Sequence, residues 1–166
     1  MAERTSVWRT GRPHGIGGMA RELLAASVRR PELRQRGNAF YTALVLRLAG
    51  AGLLAWIGWV HWVLWQVEGY KFIPTDGPFF LVDAIAAIAL AVVLLVWSRP
   101  LVGVLSAGFT ASTILALVIS LTVGLPGFKE HVSANFVVQA LVLESIALVI
   151  LLAWTMVAAL AVPRPN

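Results

Sequence analysis

Residues 78–97 read PFFLVDAIAAIALAVVLLVW, a run in which Asp83 is the only charged position. As a helix rising 1.5 Å per residue it is about 30 Å long, the thickness of the hydrocarbon layer of a bilayer. Working outward, three more runs of the same kind, at 40–66, 101–123 and 135–162, fill most of the remaining chain. A soluble chain of 166 residues has too high a surface-to-volume ratio to hide so much apolar surface around one core. Backbone amides cannot be left unpaired in lipid, so each run is read as a helix. A transmembrane barrel would alternate polar and apolar side chains, and these runs do not. The expected fold is an all-α antiparallel bundle of four transmembrane helices.

Charge divides the chain. Residues 1–38 carry eight arginines against Glu3, Glu22 and Glu32, which accounts for the whole net charge of +5. An apolar helix follows this tail directly, so its expected partner is the anionic headgroup layer of a bilayer rather than nucleic acid. Within it, Met19, Leu23, Leu24 and Val28 lie opposite Arg21, Glu22 and Arg29 on a helical wheel, the pattern of a short interfacial helix stopped by Pro31. The rest of the tail is rich in Gly, Arg and Pro and is expected to be disordered. Arg36, at the end of the tail, and Arg47, Arg99 and Arg164 beyond it lie on the tail's side, while Lys71 and Lys129 face the other. The positive-inside rule then predicts a multi-pass protein of the cell membrane with the 1–38 tail and the 163–166 terminus in the cytoplasm. The first apolar run is too long for a signal-peptide core. Cysteine is absent, which removes disulfides, thiolate nucleophiles and thiolate metal sites.

The two outer loops share a script. Gly69-Tyr70-Lys71 precedes Phe80-Leu81-Val82-Asp83-Ala84, and Gly127-Phe128-Lys129 precedes Phe136-Val137-Val138-Gln139-Ala140. Helices one and two, and three and four, therefore read as two copies of one hairpin. Thr75 or Asp76 is placed to cap the second helix, with Pro78 in its first turn. The inner connection, Ser98-Arg99-Pro100, is so short that helices two and three are expected to be antiparallel neighbours.

Chemistry, if present, lies with the polar groups inside these runs. Arg47, Leu54, His61 and Glu68 recur every seventh residue and share a face of helix one. Arg47 and Glu68 sit near the interfaces, where headgroups satisfy them, so only His61 needs a partner. By depth, His61, Asp83, Gln139 and Glu144 form a candidate polar layer in the outer half of the bundle, with His61 and Asp83 pairing. Such groups in hydrocarbon pair, line a cavity or mark a proton or ligand path. No H-x-x-x-H or E-x-x-H spacing points to a metal, one intramembrane histidine does not make a bis-histidine haem site, and no serine or threonine stands out as a nucleophile. The hydroxyls of helix three are expected to bond neighbouring helices. Gly103, Ala107 and Ala111 form a small-residue row for close helix packing, within the chain or in a homodimer, and Ala84, Ala87 and Ala91 form another. Trp62 and Trp65 fit an aromatic belt.

The stretch containing His61, Leu64-Trp65, Gly69-Tyr70-Lys71, Ile73-Pro74-Thr75, Gly77-Pro78 and Phe80-Leu81 resembles a group of four-helix integral membrane proteins common in actinobacteria. Residues Ser120-Leu121-Thr122-Val123-Gly124-Leu125, Gly127-Phe128 and Glu130 are similar too, so the resemblance spans roughly 40–161. The layout is also similar to that of the DoxX-like family, a likeness of topology that carries no activity. Neither resemblance implies a catalytic residue or a cofactor. The expected function is a non-enzymatic accessory subunit of a larger membrane complex or a small-ligand-binding bundle. A proton- or solute-conducting carrier, and a membrane oxidoreductase or quinone-binding partner, are the alternatives.

Overall fold

The computed structural model describes residues 37–74, 76–124, 129–132, 134 and 136–161. The basic tail with its expected interfacial helix, Thr75, the Gly127-Phe128 part of the second loop and the last five residues lie outside that set. The described chain forms four long helices, α1 (Gly37–Gln66), α2 (Asp76–Val96), α3 (Pro100–Thr122) and α4 (Val137–Leu160), with one 3-10 turn at Tyr70–Phe72. All four are long and apolar enough to cross a membrane. In α2 only 22% of the most apolar window is buried against other helices, although its mean hydropathy is 2.9. Ile85, Ile88, Val92 and Leu95 are left on its outer face. An apolar surface of that extent is stable in lipid and not in water. The chain is a multi-pass membrane protein.

Local sequence sets the boundaries. Gly69 leaves α1 with φ 87°, a left-handed turn that glycine adopts without a Cβ clash. Pro100 opens α3, where its missing N–H is one of the donors a helix start leaves unpaired anyway. Gly124, at φ 92°, closes α3 by donating its N–H back to the Ile119 carbonyl at 2.9 Å.

Each hairpin is tightly paired, α1 with α2 and α3 with α4, and α1 also packs broadly on α4. Helices α2 and α3 touch far less. The short inner link ties their ends and makes them antiparallel neighbours as expected, but the contact between them is slight. The cross-section is thus a ring in the order α2, α1, α4, α3 with a seam between its ends.

Leu54, Leu94, Leu151 and Trp154, all essentially inaccessible, fill the core at the link end together with Ala91 and Ala107. Gly103 is required there. A Cβ on it would lie 2.7 Å from the Trp154 ring and would strike the Thr155 hydroxyl. Gly103 and Ala107 pack as expected, and so do Ala84, Ala87 and Ala91. Ala111 does not, because it is exposed. Each four-residue step turns a helix 40° past a full circle, so by the third member the row has left the interface. Thr110, seven residues from Gly103, is buried in its place.

The hydroxyls of α3 depart from expectation in part. Thr110 donates to the Ser106 carbonyl at 3.0 Å, Ser112 to Phe109 at 2.7 Å and Thr113 to Thr110 at 2.9 Å. These bonds stay on their own helix, which satisfies the group locally wherever lipid or an apolar wall faces it, while Thr113 also lies within hydrogen-bond reach of the Glu144 carboxylate on α4. Arg47 does not reach for headgroups either. Its Nε donates to the Leu94 carbonyl at 2.6 Å and its Nη2 to the Leu95 carbonyl, so the guanidinium caps the end of α2 and favours its negative dipole end.

Candidate functional site

At the end of the bundle opposite the α2–α3 link, the four helices enclose a cavity of about 400 Å³. This lies within the range of small-molecule sites. Its walls come from every helix and both loops, and three local features place its polar groups.

The first is the face of α1. His61 stands two turns beyond Leu54, on the same side, and is buried to 8% exposure. Its Nδ1 lies 2.9 Å from the Ile57 carbonyl. A carbonyl only accepts, so Nδ1 carries the proton and donates it. Nε2 then faces Asp83 Oδ2 of α2 at 4.0 Å. That separation is an ion-pair distance and too long for a hydrogen bond. The pairing expected from sequence therefore exists as a loose contact.

The second is the start of α2. A Cβ on Gly77 would fall 2.8 Å from the Tyr70 carbonyl oxygen and 3.1 Å from the Lys71 backbone. Only glycine lets the first turn of α2 rest on the 3-10 turn. This contact sets Tyr70 against Phe80, ring centroids 4.6 Å apart, and the His61 ring lies 5.6 Å from that of Phe80. It also puts Asp76 in the wall at 3% exposure, with Oδ2 unpaired. Asp76 is thus the first helical residue and a cavity residue, beyond the capping role assigned to it or Thr75.

The third is a clasp between the loops. The Tyr70 hydroxyl donates to Glu130 Oε2 at 2.6 Å. Glu130 is held in turn by the His131 N–H on Oε1 at 3.0 Å, and its own N–H reaches the Ser120 carbonyl at 3.3 Å. This bond joins one hairpin to the other across the cavity mouth. Burial and the hydrogen bond to Glu130 both raise the Tyr70 phenol above its ordinary range. Phe136, next to the clasp, enters α4 with φ 67°, a left-handed geometry rare outside glycine.

Glu144 of α4 closes the deep side. It is 2% exposed and faces Thr113 of α3, yet its Oε2 has no partner. Of the four expected layer residues, the cavity gathers His61, Asp83 and Glu144. Gln139 is left out. On α4 the wall is made by Val137, Ala140 and Glu144, and Gln139 is turned 100° from Ala140. The hairpin repeat aligned Gln139 with Asp83, and that alignment does not extend to the site. Tyr70, Asp76, Glu130, Thr113 and Ser120 are lining residues that sequence reasoning did not assign to it.

The rim is the seam. Phe79 of α2 and Ser112 and Ala116 of α3 line the cavity and are exposed. Ser112 is about 18 Å along α3 from its inner end, so the opening reaches hydrocarbon depth.

No protein family, no curated protein and no solved structure matches this chain.

Proposed function

We propose that the chain is a non-enzymatic membrane bundle that binds a small ligand in the cavity between its two hairpins. The observation that carries this reading is the pair of carboxylates, Glu144 and Asp76, each almost fully buried in the cavity wall with an oxygen that no group among the described residues satisfies. An unpaired buried carboxylate oxygen costs on the order of 1–3 kcal/mol, a cost that a bound partner removes. Arginine bias supports a cell-membrane orientation with both termini in the cytoplasm and the cavity end outside. The tail would then meet anionic headgroups, and the exposed helix faces would be free for a second copy or a larger complex. The resemblance to four-helix actinobacterial membrane proteins belongs to the same proposal.

A conducting carrier is the second reading, favoured by His61, Asp83 and Glu144 lining one volume. Mass spectrometry of small molecules extracted from the purified protein tests binding directly. A compound retained by the wild type and absent from Ala140→Trp, which fills the cavity, is the expected result. Identical extracts from the two proteins would refute the binding reading, and proton flux in liposomes that is lost in Glu144→Gln would replace it with the carrier.

A further inference from the structure

The cavity's charge, shape and entrance narrow what it takes. Among the described residues four carboxylates line it, Asp76, Asp83, Glu130 and Glu144, with His61 as the sole basic side chain in the lining. Lys71, in the same loop, lies over Trp65 and Phe72 and hydrogen-bonds Gln66, outside the lining. A site so lined repels anions.

Two of its carboxylates are engaged: Glu130 by Tyr70 and His131, and Asp83 by the loose pair with His61. Glu144 meets Thr113, but it and Asp76 each keep one oxygen without a partner among the described residues, in positions that are 2% and 3% exposed. A bare divalent metal would need several of these groups to converge. Among the described residues, no three of His, Asp and Glu do so. The wall between the carboxylates is instead apolar and aromatic, with Phe79, Phe80, Phe136, Leu117 and Val137. Aromatic faces attract cations that have shed their water. The entrance between α2 and α3 opens at hydrocarbon depth, past Ala116 and Phe79, so a ligand arriving there must dissolve in lipid.

We propose that the cavity binds a lipophilic organic cation, an ammonium- or phosphonium-like centre carried on an apolar body, which enters through the α2–α3 seam and pairs with Glu144. This rests on the binding reading above and specifies its ligand class. Glu144 takes the charge because it is the deepest carboxylate with an unpaired oxygen. Asp76, at the loop end, adds field without contact.

Equilibrium dialysis of the full chain in nanodiscs, with three probes of similar bulk, tests it. The probes are tetraphenylphosphonium, neutral triphenylphosphine oxide and tetraphenylborate. Saturable phosphonium binding, about tenfold tighter than the neutral probe, is expected, with no saturable borate binding. Glu144→Gln should bring phosphonium and neutral affinities together. Ala116→Phe, at an exposed rim position that folding tolerates, should weaken both. Equal affinities for the cation and the neutral probe in the wild type, both weakened by Ala116→Phe, would overturn the ligand class and leave the binding bundle intact. Saturable borate binding, a phosphonium preference that survives Glu144→Gln, or no saturable phosphonium binding would also overturn it.

Discussion

Tyr70 joins two hairpins through one hydroxyl, and its chemistry makes the joint testable. The phenol is neutral when protonated, and the folded protein raises its pKa, by burial first and then by the bond to Glu130. The unfolded chain therefore ionises Tyr70 at about pH 10 while the folded one still holds the proton. By linkage, the stability from this group is fully present below about pH 10 and is lost as pH rises through the folded value. Ultraviolet difference titration of wild type against Tyr70→Phe isolates its phenolate signal, which is expected only above the ordinary tyrosine range. A signal centred at the ordinary value would show that the clasp is not closed. Legibility at this scale followed the background. His61, Asp83 and Glu144 stood out because a charge inside an apolar run is costly and needs a reason. Asp76, Glu130 and Tyr70 did not, because polar groups at the ends of such runs are ordinary. Gln139 was misplaced because sequence depth gives height along a helix axis and says little about which neighbour the side chain faces.

Helix boundaries were legible to within a few residues, since the length of an apolar run and its Gly or Pro ends have direct physical meaning. Faces were less so. A transmembrane helix is apolar all round, so the contrast that marks the buried side of a soluble helix is missing. This is why the small-residue row on α3 was extended one member too far, to Ala111. The two ends of that row should behave in opposite ways. Gly103→Leu drives a side chain into Trp154 and Thr155 and is expected to destabilise the protein by at least about 1–3 kcal/mol, the usual cost of overpacking. Ala111→Leu adds apolar surface where the residue is exposed and should change stability by less than about 0.5 kcal/mol. Thermal denaturation in detergent, read by the near-ultraviolet signal of buried Trp154, measures both. Equal losses would mean that α3 packs on another face. The hydroxyls of α3 were legible only in part for a related reason: Thr113 meets Glu144 of α4, but a threonine can also satisfy itself one turn back on its own helix, and sequence does not say which partner it chooses.

For the whole molecule, the four-helix bundle was read correctly because only closed backbone hydrogen bonding survives in lipid. The helices also follow one another around the ring in chain order, but the extent of the α2–α3 contact was not legible, since the link fixes their direction and one shared end but not how much they touch. Orientation rests on the arginines and can be measured on a chain that has no native cysteine. Phe72→Cys, on the exposed 3-10 turn, should react with an impermeant maleimide added outside intact cells. Trp97→Cys, exposed at the opposite end, should react only after the membrane is opened. The reverse pattern would invert the assignment and put the cavity end in the cytoplasm.

The seam between α2 and α3 has a consequence for energetics as well as for entry. A volume that opens at the level of the acyl chains is continuous with the lipid phase, so its resting content is set by the bilayer. Whatever binds there is exchanged against lipid tails rather than against water. Its measured affinity is then a difference between two apolar occupants. It will follow chain length and unsaturation of the host lipid, rising where the tails fit the cavity poorly and falling where they fit it well.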